Sequence, residues 1–322
     1  MFKKFFSFII ILISIISLLI GIIVIVKNKF NIAEKGTNSK FNILKKIDIS
    51  DEKEGIGVIY IYGEIFTSFD DSLFGIYKKG SDSIIDQLEE LRKDKRVKAI
   101  VLRINSPGGT IGAAQEIIEE IKLVKQSGIK IISSFGDIAA SGAYFIAAHS
   151  DLIIANPGTL TGSLSVFIAS PEISELMQKL GIKMNVIKSG KYKDILSSFR
   201  KMEPDEKEML EKLIKDSYEQ LVTEVSAGRN ISLEEAYKIC DGRLFTGRQA
   251  LSQKLVDEIG NFQYALKRAM ELSGLKGEPV IIKPKKKNFQ LFFDLIESKL
   301  NIKNLFNNLF EKTSTPLQYK YE

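Results

Sequence analysis

Ser141 is the residue whose type and surroundings first suggest chemistry, because small side chains surround it in the stretch SSFGDIAASGAYFIAAHSD, Ser133–Asp151. The sequence predicts a strand, KIISSF, then a turn of small residues, and then a buried helix that begins at Ser141. Free backbone N–H groups and the positive end of the helix dipole would favour a nucleophile whose reaction develops negative charge. Serine is also a common N-cap residue, so this stretch alone leaves both interpretations open.

His149, the only histidine of the chain, is excluded as the base that would activate Ser141. Eight residues of helix separate the two side chains by ~12 Å along the axis, whereas a general base must approach to ~3 Å. No Ser–His–Asp triad is therefore available, and His149 is predicted to be a structural residue near Asp151. Lysine is the remaining common base for a serine nucleophile.

A second junction that could support chemistry is LRINSPGGTIGAAQEI, Leu102–Ile117. A predicted strand ends at Asn105, Pro107 fixes a turn, and Gly108 and Gly109 expose backbone N–H groups before the next helix. The pattern is neither GxGxxG nor a Walker loop, which argues against a nucleotide site. Two such junctions can face each other at the carboxyl edge of a parallel sheet, one supplying the nucleophile and the other an oxyanion hole. A plain turn is the alternative.

Lysines cluster in a third stretch, VIKSGKYKDILSSF, which contains Lys188, Lys191 and Lys193. A lysine that acts as a base must be neutral, and burial or nearby positive charge favours the neutral amine. Composition alone equally fits lysines of an exposed loop.

The elements that must position these residues alternate between buried strands and amphipathic helices, which predicts an α/β domain with mostly parallel pairing. Helices are predicted within 81–96, within 112–128 and from an N-cap at Ser170 to Gly181, and helices dominate from Glu203 onward. Strands are predicted at Gly57–Ile65, Lys98–Ser106, Lys130–Phe135, Asp151–Pro157 and Lys183–Gly190.

The N-terminus contains an apolar run, Phe5–Val26, that is long enough to cross a bilayer core of ~30 Å. We predict an uncleaved signal anchor within residues 1–28, oriented with its N-terminus inside, although the flanking lysines are nearly balanced. A linker over 29–55, a catalytic domain over 56–280 and a basic, amphipathic tail over 281–322 follow. The tail fits a packed or oligomer-contacting helix, a membrane-surface helix or a partner-binding arm.

Composition excludes several classes of function. The net charge of +6 is mild and no basic face is interleaved with aromatic residues, so no nucleic-acid partner is expected. One cysteine and one histidine cannot form a Cys/His zinc site, and neither a metal nor a cofactor is predicted.

Five motifs in order resemble the short bacterial form of the SppA-type signal peptide peptidases, peptidase family S49: INSPGGT, AASGAYFIAA, GTLTGSLSVF, SGKYKD and DGRLFTGRQALSQKLVDEIG. The resemblance covers about residues 56–275 and implies a Clp protease/crotonase-like fold of repeated ββα units, with an N-terminal transmembrane helix and a helical C-terminal part. It also implies a Ser–Lys endopeptidase. Clp proteases themselves supply a histidine downstream of the serine, where this chain reads SLSVFIAS.

The resemblance assigns roles residue by residue. Ser141 matches the nucleophile, and Lys193, not Lys191, matches the general base. Ser163 matches a serine that orients the lysine, although Ser165 replaces a glycine that is common in the family. The oxyanion donors correspond to Gly109 and Gly142, and the substrate-side turn to Ser106, Pro107 and Gly108.

The predicted function is therefore that of a membrane-anchored serine endopeptidase that degrades remnant signal peptides after their release from preproteins. Its expected partners are peptide substrates, the lipid bilayer and further copies of the chain, since the two catalytic residues come from distant segments. The catalytic domain is expected on the extracytoplasmic side of a single-pass cell-membrane anchor. A broader envelope quality-control protease and a non-catalytic crotonase-like module that binds acyl groups or peptides are the alternatives.

Overall fold

The computed structural model describes residues 53–67, 80–284 and 318–320. From Glu54 onward the described residues belong to one compact unit. The predicted anchor at Phe5–Val26 and most of the predicted linker and tail lie outside them. In the part of the chain that is described, no helix is both long and apolar enough to cross a membrane.

A single sheet of eight strands forms the centre of the described residues. The strands are β1 Gly55–Tyr62, β2 Val97–Ser106, β4 Lys130–Ala140, β5 Leu152–Ala155, β6 Leu160–Gly162, β7 Leu244–Thr246, β8 Glu258–Ile259 and β9 Ile281–Ile282. The longest path through the sheet runs β7–β6–β4–β2–β1–β9, while β5 pairs with β4 and with β8. Every pairing in this sheet is parallel except that of β6 with β7.

Two short strands pair outside this sheet, antiparallel to each other: β3, Gly108–Thr110, and β10, Gln318–Lys320. The described helices are α1 Gly80–Lys93, α2 Ile111–Gln126, α3 Gly142–Ala147, α4 Ser174–Lys179, α5 Pro204–Arg229, α6 Leu233–Ile239, α7 Gly247–Ser252 and α8 Phe262–Ser273.

The core lies on both faces of the parallel sheet, which explains why the strands are continuous runs of Val and Ile. In β1, Ile59 and Ile61 face the larger cluster, which also contains buried residues of α1, α2 and α3. Ile56 and Val58 face the opposite cluster, which is completed by α8. The mixed α/β architecture with a parallel sheet agrees with the sequence prediction.

Strand β4 is longer than predicted, because the small-residue segment after Phe135 continues the strand to Ala140 instead of turning. Two side chains support this extension. Asn105 Oδ1 accepts hydrogen bonds from the backbone of Asp137 and Ile138 at 2.9 and 3.0 Å, where the β2–β4 register shifts. Thr161 donates to the carbonyl oxygen of Ala139 at 2.6 Å.

The predicted strand Lys183–Gly190 is wrong, because these residues form neither a strand nor a helix and all are exposed. Their alternating apolar and polar side chains fit a strand, but this segment has no strand of the described chain beside it. The predicted helix start at Ser170 is also wrong. Ser170 Oγ donates to the carbonyl oxygen of Leu196 at 2.7 Å, and helix α4 begins at Ser174, where the Glu172 carboxylate accepts the backbone N–H.

Candidate active site

The two glycine-containing junctions meet at one edge of the sheet, as the sequence predicted. Strands β2 and β4 are parallel neighbours, and Ser106 at the end of β2 lies opposite Ala139 near the end of β4. Helix α3 then contacts β3, so the segment that begins with Gly142 lies beside the one that contains Gly109. Parallel sheets place ligand sites at this carboxyl edge.

Ser141 is buried at the start of helix α3, but it does not act as a helix cap. Its side chain is 1% exposed, and its Oγ has no hydrogen-bond partner among the described residues. Although it precedes helix α3, its hydroxyl does not cap the helix. Its backbone has φ 54° and ψ −122°, a conformation that costs a non-glycine residue about 1–3 kcal/mol and that clusters at functional sites. An unpaired buried hydroxyl on a strained backbone favours the nucleophile interpretation over the N-cap interpretation.

Ser163 lies next to Ser141 because strand β6 continues the sheet beside β4. The Ser141 N–H donates to the carbonyl oxygen of Gly162 at 2.8 Å, and Ala140 and Gly162 are register partners. Ser163 also has a positive φ of 51°, and its N–H donates to the carbonyl oxygen of Arg243 at 2.8 Å. The half-buried Ser163 side chain is therefore held at the end of β6, one residue beyond Gly162, whose carbonyl oxygen accepts the Ser141 N–H.

The turn that contains Gly109 is held by its own residues. Ser106 Oγ accepts a hydrogen bond from the Gly108 N–H at 3.1 Å, and Gly108 has a positive φ of 106°. Gly109 lies so close to Ile65 that a Cβ atom added there would be 1.8 Å from the Ile65 carbonyl oxygen. Three residues of the SPGG pattern thus have separate structural roles. Ser106 accepts a hydrogen bond within the turn, Gly108 adopts a left-handed backbone conformation, and Gly109 allows the close approach of the segment that contains Ile65.

Strand β10 shows that this turn can bind an extended polypeptide. Gln318, Tyr319 and Lys320 pair antiparallel with Thr110, Gly109 and Gly108, respectively. Strand β10 also contacts helix α3, which follows Ser141. A segment of the chain itself therefore lies across the site as an added strand.

The lysine-rich segment does not bring its lysines to Ser141 within the described chain. Lys188 is paired with Asp194, and Lys191 is paired with Asp205. Lys193 is exposed, and the described residues give its amine no hydrogen bond or ion pair. The structure thus unites Ser141, Ser163 and the two glycine turns, but it does not join Ser141 to any of the three lysines.

Sequence analysis missed a charged network directly after Lys193. Asp194 accepts two hydrogen bonds from the Arg200 guanidinium, and Arg200 also pairs with Glu206 in the first turn of α5. These contacts hold the pKa of the Asp194 carboxyl well below its usual range, with Arg200 as the largest cause. The sequence EPDE, residues 203–206, could have indicated part of this network, because Pro204 is suited to begin a helix and Glu206 can complete a capping box.

The buried His149 side chain lies against helix α5, and the described residues give it no contact with Asp151. Its Nε2 lies 3.1 Å from Glu224 Oε2 of helix α5, and Lys125 donates to its backbone carbonyl oxygen at 2.8 Å. Burial lowers the pKa of His149 to about 4. Asp151 instead accepts a hydrogen bond from the Ile131 N–H near the start of β4. The Lys125 amine, which donates to the His149 carbonyl oxygen, also lies 3.6 Å from Asp151 Oδ1.

Family comparisons match two parts of the chain. The model of peptidase family S49 matches residues 124–276, and the Clp protease model matches residues 65–159. The first range contains the junction with Ser141 and the lysine segment, and the second contains both glycine turns.

Three similar proteins extend these matches. A "Putative protease" of Synechocystis sp. is 44% identical over 58% of this chain and 68% of its own length. A "Putative protease" of Methanocaldococcus jannaschii is 35% identical over 71% of this chain and 74% of its own length. A "Putative signal peptide peptidase SppA" of Enterococcus faecium is 35% identical over 64% of this chain and 60% of its own length.

Proposed function

The chain belongs to peptidase family S49, and we propose that this serine peptidase is a membrane-anchored endopeptidase with Ser141 as nucleophile and Lys193 as general base. The observation that carries the proposal is the buried, unpaired hydroxyl of Ser141 on a left-handed backbone. Nothing in the described chain uses this hydroxyl for structure, so its strained position is best explained by reaction with a substrate.

Of the three lysines in this segment, Lys193 is the one whose amine has no ion-pair partner in the described chain and can therefore act as the base. Lys188 and Lys191 are each paired with a carboxylate, and the hydrogen bond to Asp205 raises the pKa of Lys191. Lys193 follows both of these lysines in the same segment, and its amine has no partner within the described chain. This difference supports Lys193 over Lys191 as the base.

A second copy of the chain would bring Lys193 to Ser141. The segment that leads to Lys193 is exposed along its length, and Ile187 is 102% exposed. Exposed apolar side chains on an extended segment suit a protein interface better than water. We therefore propose a homo-oligomer in which Lys193 of one copy completes the site of its neighbour.

The reaction follows from these positions. The neutral Lys193 amine takes the Ser141 proton while Oγ attacks the scissile carbonyl carbon, and the Gly109 and Gly142 N–H groups donate to the oxyanion. The Lys193 ammonium then protonates the leaving amine as the C–N bond breaks. Water then attacks the acyl carbon while Lys193 accepts a proton from it. The bond between this carbon and Ser141 Oγ breaks, the proton passes from Lys193 to Oγ, and the peptide product leaves as a carboxylic acid. Ser163 orients the Lys193 amine by a hydrogen bond.

The substrates are proposed to be extended apolar peptides, in particular remnant signal peptides. Strand β3 pairs with an extended segment, Gln318–Lys320, so its edge suits a polypeptide added as a strand. The similar Enterococcus faecium protein is named a putative signal peptide peptidase, which supports signal peptides as the substrate class. The apolar run Phe5–Val26 would anchor the enzyme in the membrane where such peptides remain, with the catalytic domain on the extracytoplasmic side.

We also propose the repeated ββα organisation of the Clp protease/crotonase fold. The chain order β2–β3–α2 and the chain order β5–β6–α4 support it.

Hydrolysis of an internally quenched peptide with a signal-peptide sequence tests the proposal. Ser141→Ala and Lys193→Ala should each lose activity by about 10²-fold or more, whereas Lys191→Ala should keep it. Coexpression of Ser141→Ala with Lys193→Ala should restore activity, because mixed oligomers contain sites with both groups. Retained activity in either single variant contradicts the dyad. A mixture that stays inactive contradicts completion of the site by a neighbouring copy.

A further inference from the structure

An ion-pair network joins the segment that carries Lys193 to the N-terminus of helix α5. Arg200 lies at its centre and pairs with both Asp194 and Glu206. We propose that Arg200 is a positioning residue, which fixes the backbone and the charge beside Lys193 for proton transfer. The inference rests on the proposed function, because it concerns the same base.

Arg200 holds Asp194 at three points. Its Nε donates to Asp194 Oδ2 at 3.0 Å, and its Nη2 donates to Oδ1 at 2.9 Å and to the Asp194 backbone oxygen at 3.2 Å. A guanidinium presents these donors in a rigid planar fork, so the bonds set both position and orientation. Since Asp194 directly follows Lys193, they restrict where the Lys193 backbone can lie.

The other side of Arg200 is anchored in a buried carboxylate. Arg200 Nη1 donates to Glu206 Oε2 at 2.7 Å, and the Glu206 side chain is 2% exposed. The same Oε2 accepts the Glu203 N–H at 2.9 Å, as part of the capping box of helix α5. Helix α5 contributes Leu221 to the hydrophobic core. The network therefore connects the Lys193 segment to a rigid element rather than to another loop.

The network also controls charge next to the base. Arg200 and Lys188 both contact the Asp194 carboxylate and neutralise it. An unneutralised carboxylate at this position would favour the protonated, inactive form of the adjacent Lys193 amine. The other charged groups that face this region from the loop and from helix α5 are Lys191, Asp205 and Glu206.

Arg200→Lys tests the inference, because it keeps the positive charge but loses the planar fork. In the full-length protein in detergent micelles, kcat for the quenched signal-peptide substrate should fall about 10- to 100-fold. The KM should change less than about twofold, because Arg200 is proposed to act on proton transfer rather than on binding. Lys201→Gln is the matched control, since it breaks an exposed neighbouring pair with Glu175 and should leave kcat unchanged.

Arg200→Ala tests whether the network controls the charge beside Lys193. The ascending limb of kcat against pH should move to higher pH, because the Asp194 carboxylate, left with Lys188 as its one cationic partner in the described chain, stabilises the Lys193 ammonium more strongly. Added guanidinium should restore part of the activity, as the Arg200 side chain is 29% exposed and a small cation can reach the vacated position. A merely structural arginine would lower the melting temperature without shifting this limb or responding to guanidinium.

The outcomes separate this inference from the proposed function. If Lys193→Ala is inactive while Arg200→Lys keeps wild-type kcat and Arg200→Ala keeps the wild-type pH profile, Arg200 does not position the base but the dyad stands. If Arg200→Ala loses stability, shows no shifted limb and is not rescued by guanidinium, the network is structural only and the inference is wrong. If Lys193→Ala is fully active, the dyad fails and the network has no catalytic role to support.

Discussion

The N–H of Ser141 donates a hydrogen bond to the carbonyl oxygen of Gly162 at 2.8 Å. This bond extends the pairing of β4 with β6 by one residue, and it holds the end of one strand against the end of the other. Both strands then continue into a residue with positive φ, Ser141 on one side and Ser163 on the other. The sheet therefore holds two strained serines side by side at its carboxyl edge.

Replacement of Ser141 by glycine should stabilise the protein relative to replacement by alanine. The φ of 54° and ψ of −122° are unfavourable for alanine but accessible to glycine. Both variants are inactive under the proposed mechanism, so the comparison isolates backbone strain. We expect the free energy of unfolding of Ser141→Gly to exceed that of Ser141→Ala by about 1 kcal/mol in urea titrations. Equal stability, or a less stable glycine variant, would show that no strain is stored at this residue.

Gly109→Ala should abolish activity, whereas Gly112→Ala should leave it intact. A Cβ atom at Gly109 would be 1.8 Å from the Ile65 carbonyl oxygen, so β3 must move and its N–H donors with it. A Cβ atom at Gly112 would have no atom within 4 Å. Loss of one oxyanion donor costs about 10²–10³-fold in kcat. Steady-state hydrolysis by both variants checks the prediction, and an active Gly109→Ala enzyme would remove this turn from the mechanism.

Deletion of residues 318–322 should lower the KM for peptide substrates. Strand β10 pairs with the strand edge that the substrate is proposed to use, so the two compete for the same backbone groups. A tethered competitor acts at a high effective concentration, and its removal should lower KM several-fold while kcat stays constant. A separate peptide with the sequence QYKYE should then inhibit the shortened enzyme. An unchanged or higher KM would mean that β10 does not occupy the substrate position.

His149 should make folding sensitive to mildly acidic pH without contributing to catalysis. Burial lowers its pKa to about 4 in the folded chain, against about 6.5 when unfolded. Between these values the unfolded chain binds more protons, so stability falls as the pH falls through that window, by about 3 kcal/mol.

His149→Gln removes this titratable group, so the variant should lose less free energy of unfolding than the wild type as the pH falls from 7 to 4. Urea unfolding at pH 7, 5 and 4 measures it, and activity at pH 8 should stay within about twofold of wild type. An equally steep acid loss in the variant would assign the effect to other groups. Inactivity of a stably folded variant would contradict the exclusion of His149 from the chemistry.

Short-range patterns predicted much of the fold and of the nucleophile region. Runs of Val and Ile gave the parallel strands, and small residues around Ser141 marked the start of helix α3, because both depend on local conformation and burial. Helix geometry alone separated His149 from Ser141.

Features that depend on distant contacts could not be predicted in this way. Residues 183–190 alternate like a strand, yet a strand requires a neighbour, and the described chain provides none there. The extension of β4 depends on the Asn105 side chain, which is 32 residues from Asp137. The partner of His149 is Glu224 on a helix much later in the chain. Each outcome is decided by tertiary packing rather than by local sequence.

The reaction of Ser141 with an alkyl fluorophosphonate tests the central claim most directly, since Oγ attacks phosphorus, fluoride leaves and no peptide specificity is involved. Mass spectrometry of the labelled peptide follows the rate from pH 6 to pH 10. If neutral Lys193 activates Ser141, the rate should rise toward alkaline pH in the wild type. The rate should also be at least about 10²-fold lower in Lys193→Ala and unchanged in Lys191→Ala. A flat pH profile, or wild-type labelling of Lys193→Ala, would contradict this mechanism.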